Sequence, residues 1–384
     1  MYFCLLKKLL VLHFDLNTYQ IILALFVVSG IVQLFYFLFF YARLMSKKRL
    51  PELEKPFPIS VIIAARNEEK NLLNFLPLVL EQNYPMYEVV VVNDRSWDES
   101  LDVLLALEQK YPHLRIVDIP DVGKDGFAKK MAITIGIKGA NYDRLVFTDA
   151  DCKPVNENWL GEMAKGFAHN KTLVLGAGGY LKQKGFLNKL IRYDANFIAI
   201  QYLSFAKAGI PYMGVGRNLA YTKELYDSVR GFKSHYHLIS GDDDLFVNEV
   251  ATKKNTTVVF NEDAVTFSVP KTSFKAWWRQ KKRHLTTGGR YKFYQLFLLG
   301  LYPLSLFLFY ITGITLIAFN YFIYYIIGAI FFRILIQILI FIRPFKLMDS
   351  KDLLWMVPFL DIVFLFINPI LLNSSKQSTK TNIR

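Results

Sequence analysis

The sequence predicts an α/β domain with a mainly parallel sheet, joined at both ends to membrane-spanning helices. Three observations support this fold class. The 384-residue chain is 53% hydrophobic, and its longest uncharged apolar runs lie near its two ends. The central region alternates short apolar runs with leucine-rich segments of helical spacing. Acidic residues follow two of the apolar runs, at the edge where parallel sheets bind ligands.

Four apolar runs are long enough to cross the roughly 30 Å hydrocarbon core of a bilayer. The first, 19–41, is too long and begins too late for a cleaved signal peptide, and a basic stop-transfer flank follows it. The third run is interrupted by Arg333 and Gln337, and the fourth contains Asp361. We therefore predict an N-terminal segment 1–18, a membrane helix 19–42, a C-terminal membrane region 296–372 of two or three helices, and a polar tail 373–384.

Basic residues flank both ends of the central region, which predicts its side of the membrane. The positive-inside tendency places residues 43–292 in the cytoplasm and the chain in the cell inner membrane as a multi-pass protein. One conflict remains, because four spans would put the basic tail "KQSTKTNIR" outside. The net charge of +14 is concentrated at the membrane boundaries, where anionic lipid explains it, so we expect no nucleic-acid partner. Cys4 and Cys152 indicate neither a disulfide nor a zinc site.

The central region reads as alternating strands and helices. Apolar runs predict strands at 59–65, 88–92, 114–119 and 144–148, and helical spacing predicts helices at 67–83, 99–110 and 128–140. Ser96 and Glu99 have the spacing of a capping box before the second helix. Strands that are apolar at every position indicate a parallel sheet covered on both faces.

Asp94 and Asp149 follow the second and fourth predicted strands, and Asp151 is close behind. A lone aspartate after a strand is usually a turn residue or a cap, but several at one sheet edge favour a ligand site. The sequence has neither the GxGxxG nor the GxxxxGK[ST] pattern, which argues against a dinucleotide fingerprint and a P-loop. Carboxylates bind phosphate through a divalent metal, Mn²⁺ or Mg²⁺, so the acids predict a metal cofactor and a diphosphate-bearing ligand.

These residues resemble the motifs of family 2 glycosyltransferases, which have a GT-A fold. The resemblance covers roughly 58–290. "VIIAARNEEKNL" is similar to the opening strand and turn, and "FTDADCKP" contains the Asp-x-Asp motif in full. "VVNDRSWDES" resembles Asp-Gly-Ser-x-Asp with Arg95 in place of glycine, and "AKKMAITIGI" resembles a Lys-rich helix start. "GVGRNLAYTKELYDSVRGF" is similar to the acceptor-side segment, "SGDDDLF" to the base motif, and "RQKKRH" to Gln-x-x-Arg-Trp with His284 in place of tryptophan.

The resemblance implies roles for individual residues. Asp94 would contact the nucleotide, Glu68 would lie near its base or ribose, and Lys129 would belong to the nucleotide-sugar site. Asp242 would be the general base, with Gly241 in place of the usual glutamate. The remaining implied roles are ribose and metal contacts for Asp149 and Asp151, and diphosphate or acceptor contacts for Gln280, Arg283 and His284.

The triplet Asp242 to Asp244 suits a base chemically. An inverting transfer needs a proton acceptor beside the attacking hydroxyl, and adjacent carboxylates repel one another and raise at least one pKa. Two simpler explanations stay open. The triplet could be a solvated loop cluster, and "RQKKRH" could be a membrane-surface flank with no part in catalysis.

We therefore expect a membrane-bound inverting glycosyltransferase, a hexosyl- or N-acetylhexosaminyl-transferase of the cell envelope. Its donor would be a nucleotide-sugar, a UDP-sugar, and its acceptor a lipid-linked glycan, a membrane lipid or a polysaccharide. One alternative is a processive polysaccharide synthase, although two or three C-terminal spans are few for a channel. Another is a non-catalytic scaffold of the same fold, against which the complete set of aspartates argues.

Overall fold

A computed structural model describes residues 16–120, 128–238 and 240–381. Most of the predicted N-terminal segment, with Cys4, lies outside the described residues, as do the last three residues of the predicted tail. The first helix, α1, covers Leu16–Phe35. It continues as a π-helical turn, Tyr36–Phe40, and a 3-10 turn, Tyr41–Met45.

The central sheet has seven strands within the described residues, in the order β3-β2-β1-β4-β8-β6-β9. β1 pairs in parallel with β2 and β4, whereas β8 runs antiparallel to β4 and β6. The predicted mainly parallel α/β sheet is therefore confirmed. The strand bounds are β1 Ile59–Ala65, β2 Tyr87–Asp94, β3 Leu114–Ile119, β4 Arg144–Phe147, β6 Leu173–Leu175, β8 Leu219–Thr222 and β9 Thr256–Val258.

A second, three-stranded sheet lies beside the carboxyl end of β4, and β10 is its central strand. β10 pairs antiparallel with β5 and parallel with β7. Because β5 begins at Cys152, directly after the Asp-x-Asp residues, this small sheet fixes the chain on one side of the site. Its strands are β5 Cys152–Pro154, β7 Gly178–Tyr180 and β10 Thr266–Ser268.

Helices cover both faces of the central sheet, as the apolar strands predict. β1 is buried along nearly its whole length, and apolar residues from helices on either side pack against it. The helices of this region are α2 Glu69–Leu80, α3 Ser100–Lys110, α4 Ala128–Gly139, α5 Trp159–Lys165, α6 Phe186–Lys207, α7 Lys223–Ser228, α8 Asp244–Val250 and α9 Phe274–Gly288.

The predicted capping box at α3 is wrong. Ser96 accepts a hydrogen bond from the backbone N–H of Asn67, 2.9 Å away, in the turn after β1. Asp98 takes the capping role instead, because its Oδ1 accepts from the backbone N–H of Ser100 at 3.1 Å. The chain turns at Arg95, where φ is 54°, and this turn directs Ser96 toward β1 rather than toward the helix.

Three long apolar helices follow the sheet domain: α10 Phe293–Ala318, α11 Ile323–Leu347 and α12 Val357–Thr381. With the first helix and its extension, they give four candidate spans among the described residues, long and apolar enough to cross a membrane. α12 begins near the predicted fourth run but continues past Leu372 as helix.

A buried polar network joins all four candidate spans. Arg333 on α11 pairs with Asp361 on α12 at 3.0 Å, and both are almost fully buried. Gln33 on α1 accepts from Arg333 at 3.0 Å and donates to Ser305 on α10 at 2.8 Å. Tyr193 on α6 donates to Asp361, which ties the sheet domain into the same network. Charged groups at this depth persist only when they are paired.

α6 carries further contacts between the two regions. Its buried Arg192 forms two hydrogen bonds with Asp352, at 3.0 and 2.6 Å, in the connection between α11 and α12. Asp194 pairs with Lys281 of α9 at 2.7 Å, and Phe205 stacks on Phe40 at 4.2 Å. α6 thereby holds the sheet domain against the apolar helices through both charge and packing.

Candidate active site

The acids of the sheet edge meet in one cleft. Asp149 follows β4, and Asp242 enters the same cleft from the loop before α8. Lys129, at the start of α4, and Gly216 also line this cleft. Of the two predicted strand-end acids, Asp94 and Asp149, only Asp149 lines this cleft within the described residues, together with Asp242 and Lys129.

Lys129 connects the two acids. Its Nζ lies 2.9 Å from Asp149 Oδ1 and 3.3 Å from Asp242 Oδ2. Burial opposes the positive charge, but Asp149, Asp242 and Asp243 outweigh it and raise the pKa of Lys129 well above its usual value. Burial also opposes the charge on Asp149, and Lys129 overcomes this and lowers the pKa of that carboxyl. Both partners are therefore charged at neutral pH.

Asp149, Asp151 and Cys152 offer ligand atoms within 4.8 Å of one another. The two carboxylates fit Mn²⁺ or Mg²⁺, since these ions prefer oxygen ligands, and each uses one oxygen in the described contacts. Cys152 fits less well. Its thiol lies 2.9 Å from Ser268 Oγ, and burial and the adjacent acids raise its pKa well above its usual value. A metal would therefore be held by Asp149 and Asp151.

Glu68 lies at the start of α2, on the same side of the sheet as the metal candidates. Its carboxylate accepts a hydrogen bond of 2.5 Å from the Asn71 side chain. Burial is the main cause that raises its pKa, and the charges of Asp151 and Asp149 add to the shift. The charges of the acid pair therefore reach Glu68, and the nucleotide contact that the resemblance implies for this residue stays a prediction.

Asp94 occupies a different environment. It is buried at the end of β2, and its Oδ1 accepts from Arg95 Nε at 2.8 Å. The left-handed backbone at Arg95, with φ of 54°, explains why glycine is usual at this position of the related motif. Asp94 makes no described contact with the Lys129 group, and its predicted nucleotide role stays a prediction.

The three acids of the triplet make different contacts. Asp242 is buried and lines the cleft, and its Oδ2 accepts no hydrogen bond from the described residues. Asp243 accepts from the N–H groups of Gly216, at 2.8 Å, and Asp244, at 2.7 Å, and so caps α8. Asp244 accepts from the hydroxyl groups of Thr287 and Tyr291. The triplet is therefore not a solvated loop cluster.

The raised pKa predicted for the triplet falls on Asp243 and Asp244. Burial, followed by the charges of Asp242 and Asp244, raises the pKa of Asp243 to about 7. Burial also raises the pKa of Asp244, against hydrogen bonds from Thr287 and Tyr291 that lower it.

Lys130 fixes the loop that precedes the triplet, a role that sequence reasoning missed. Its buried Nζ donates to the carbonyl oxygens of His235, at 2.6 Å, and Leu238, at 3.0 Å. Adjacent lysines on α4 therefore act in opposite directions, Lys129 into the cleft and Lys130 onto the loop. The paired lysines were visible in the sequence, but the loop carbonyls that bind the second one were not.

α9 brings the remaining predicted residues to the cleft. Gln280 Nε2 lies 3.4 Å from the hydroxyl of Tyr180, and the charge of Arg283 helps to lower the pKa of Asp149. His284 is exposed, and the surrounding protein, followed by the charge of Arg283, lowers its pKa, so the ring is neutral at pH 7. These contacts argue against a purely membrane-surface role for "RQKKRH".

Comparison with known proteins finds similarity to glycosyltransferases. Residues 60–230 match the sequence profile described as "Glycosyl transferase family 2". A protein named "Probable glycosyltransferase YdaM" from Bacillus subtilis (strain 168) is 25% identical over 360 residues, 88% of this chain and 78% of the relative. A 4,4'-diaponeurosporenoate glycosyltransferase from Staphylococcus aureus (strain USA300) is 35% identical over 95 residues, 24% of each protein.

A solved structure shares the fold. It is the mannosyltransferase PcManGT from Pyrobaculum calidifontis in complex with GDP-Man and Mn²⁺, with a TM-score of 0.55 and 20% identity. The similarity covers 90% of this chain and 98% of that one. The mixed sheet and the likeness to this structure show a GT-A fold, and residues 60–230 are similar to family 2 glycosyltransferases.

Proposed function

We propose that this protein is a membrane-bound inverting glycosyltransferase. It moves a sugar, a hexose or N-acetylhexosamine, from a UDP-sugar to a lipid, lipid-linked or polysaccharide acceptor. The observation that carries the proposal is the arrangement around Lys129, which holds Asp149 and Asp242 on its two sides. This arrangement supports a site in which a metal-binding carboxylate, Asp149, and a base, Asp242, would act in one cleft.

The donor would lie along the carboxyl edge of the sheet. Asp94 and Glu68 would contact the nucleoside, and Lys129 and Asp149 would bind the sugar diphosphate side. Asp149 and Asp151 would hold Mn²⁺ or Mg²⁺, which neutralises charge on the departing diphosphate when bound. The similar mannosyltransferase was solved as a complex with GDP-Man and Mn²⁺, which supports a nucleoside-diphosphate sugar and a divalent metal for this site.

Asp242 would act as the general base. It takes the proton of the acceptor hydroxyl while that oxygen bonds to the anomeric carbon and the bond to the diphosphate breaks. The electron pair of the broken bond leaves with the nucleoside diphosphate. Within the described residues, Asp242 Oδ2 lies 3.3 Å from the Lys129 ammonium and accepts no hydrogen bond. This supports the role of Asp242 over Asp243, whose two oxygens already accept backbone hydrogen bonds.

Gln280, Arg283 and His284 would form the diphosphate or acceptor side of the cleft. All three lie on α9, which ends shortly before α10 enters the apolar region. A neutral imidazole at His284 could stack on a sugar ring, with less contact area than tryptophan offers. An acceptor anchored in the bilayer would therefore reach the cleft along α9.

We further propose that the sheet domain is cytoplasmic and that the protein lies in the inner membrane. The apolar helices join the sheet domain on one side, through the end of the first span, the start of α10 and the connection between α11 and α12. A cysteine at exposed Lys254 should resist an impermeant thiol reagent in intact cells, whereas one at Tyr324, beyond α10, should react. The opposite labelling pattern would reverse the orientation.

The direct test of the proposed function uses purified full-length protein in detergent. UDP binding should require Mn²⁺ or Mg²⁺ and be lost with a chelator, and UDP-sugars should release UDP when membranes supply acceptor. A parallel titration with GDP checks the base preference. Metal-independent UDP binding, or no nucleotide release from any donor, would contradict the proposal. A ladder of products instead of a single addition would indicate a processive polysaccharide synthase.

A further inference from the structure

Arg217 has a fixed backbone position on the wall of the cleft. It lies in the 3-10 turn Gly216–Asn218, and its carbonyl oxygen accepts from Thr148, at 3.1 Å, and Thr266, at 2.9 Å. The Asn218 side chain donates to two backbone carbonyls at 2.7 Å. Because the backbone is bonded on both sides of Arg217, its side chain leaves from a well-defined point between β4 and β10.

The side chain of Arg217 packs along β7. A Cβ atom at Gly178 would lie 2.3 Å from Arg217 Nε, so the arginine needs glycine at that position. Its guanidinium carbon then lies 4.6 Å from the centre of the Tyr180 ring, a favourable cation–π distance. Tyr180 in turn meets Gln280 through its hydroxyl. Arg217 is thus held between the Asp-x-Asp side of the cleft and α9.

The charge of Arg217 has no ionic partner among the described residues. No carboxylate of that part of the chain lies within 4.0 Å of its guanidinium nitrogens, and its buried Nε has no hydrogen bond there. The residues next to Arg217 and to Asp149 connect it to the metal candidates, since Gly216 lines the cleft with Asp149 and Thr148 donates to the Arg217 carbonyl. A packed guanidinium without an acid beside it offers a planar fork to an anion, and phosphate fits that fork.

We infer that Arg217 binds a phosphate group in this cleft, beside the position proposed for the metal. The inference rests on the proposed function and adds a second arginine to Arg283. Two sources carry this chemistry: the diphosphate of the donor, and a phosphate on a lipid acceptor. In either case the packed side chain provides a preorganised contact, whereas Arg283 approaches from an exposed face of α9.

The test compares Arg217→Met with Lys254→Met, a control that removes an exposed positive charge outside the cleft. Calorimetric titrations with UDP and UMP in Mn²⁺ use the purified full-length protein. If the donor supplies the phosphate, Arg217→Met should weaken UDP binding about 10- to 100-fold and UMP binding much less. Lys254→Met should bind both nucleotides like the wild type, and Arg217→Lys should recover part of the loss.

A second titration addresses the lipid source. Short-chain phosphatidic acid is compared with the matching diacylglycerol, which lacks the phosphate. Loss of phosphatidic acid binding in Arg217→Met, with UDP binding unchanged, would assign the phosphate to the acceptor. Unchanged binding of both UDP and phosphatidic acid would overturn the inference while leaving wild-type, metal-dependent UDP binding, and hence the proposed function, intact. If the wild type binds no UDP, the result contradicts both the inference and the proposed function.

Gly178→Ala provides a test that keeps the arginine. The added Cβ displaces the flexible Arg217 side chain from β7, without removing its charge. This variant should weaken binding of the same phosphate ligand as Arg217→Met does. Wild-type affinity in a folded Gly178→Ala protein would contradict the inference, because the packed position of Arg217 is what it depends on.

Discussion

Asp149 and Asp242 share one counterion, the Lys129 ammonium, which lies 2.9 Å from the first carboxylate and 3.3 Å from the second. The two acids come from separate segments of the chain, the end of β4 and the loop before α8. This arrangement links the side of the cleft that would bind the donor to the side that would bind the acceptor. Removing the lysine should therefore disturb both.

Lys129→Met should weaken metal-dependent UDP binding and reduce transfer by at least about tenfold. Without Lys129, burial raises the pKa of Asp149 and disfavours the ionised form that binds metal. The loss should be larger at lower pH. Lys138→Met, an exposed position on the same helix, is the matched control for charge removal. Equal UDP affinity in wild type and Lys129→Met at pH 6 would contradict this assignment.

Asp151→Asn should abolish transfer and remove the effect of Mn²⁺ on UDP affinity. The substitution keeps the size of the side chain but replaces a charged ligand with a neutral amide. Titrations with and without chelator measure the metal contribution, and Asp227→Asn, at an exposed position in α7, controls for loss of one acid. If UDP binding by the wild type is insensitive to chelator, Asp151 has no metal role.

The rate of transfer should rise with pH around neutrality. The pKa of Asp243 is raised to about 7, so below that value Asp243 gains a proton and its negative charge no longer favours proton transfer to the neighbouring base, Asp242. Asp243→Asn removes the neighbouring charge, and should shift the rising limb of the kcat/KM profile to lower pH while keeping activity. A profile that is flat from pH 5 to 8 in the wild type would exclude this pair as the base.

Asp361→Ala should strongly destabilise the protein, because it leaves Arg333 buried without its partner. Breaking one side of a buried pair costs about 3–5 kcal/mol. The double variant Arg333→Met with Asp361→Leu should recover much of that loss, since neither buried charge remains. Thermal unfolding in detergent measures both, with Tyr324→Ala as an exposed control on α11. A double variant less stable than Asp361→Ala would contradict the interpretation.

The sheet was predictable because its signal is local. The β-branched run of β1 gives the strand bounds directly, and burial on both faces follows from apolar residues at every position. The helix start at α3 was not predictable in the same way. Ser96 has a partner in the turn after β1, and a contact between distant segments overrides the local capping pattern.

The residues of the site differ in the same way, since some could be predicted from the sequence and others could not. Asp149, Asp151 and Asp242 stand out in the sequence because each lies in a motif. Arg217 and Lys130 also lie in motif-like segments, but their roles could not be predicted there, because they depend on Gly178 and on the carbonyls of a distant loop. Such contacts appear only when separate segments are folded together.

Gly241 shows where the resemblance reaches its limit. The alignment puts it in place of a glutamate, but its φ is 105° and a Cβ there would lie 2.7 Å from Leu245. A side chain does not fit this backbone, so the alignment of Gly241 with the motif's glutamate does not decide which aspartate of the triplet is the base. The position of Asp242 in the cleft, with its Oδ2 3.3 Å from the Lys129 ammonium, is what supports its role.

The measurement that tests the account most directly compares Asp242→Asn with Asp243→Asn in a transfer assay, alongside UDP titrations. Asp242→Asn removes basicity with little change in volume, and should lower transfer by about 10²–10⁴-fold while UDP binding stays close to wild type. Asp243→Asn should remain active. A dead Asp243→Asn with an active Asp242→Asn would move the base by one residue, and two active variants would contradict the assignment of the base to this loop.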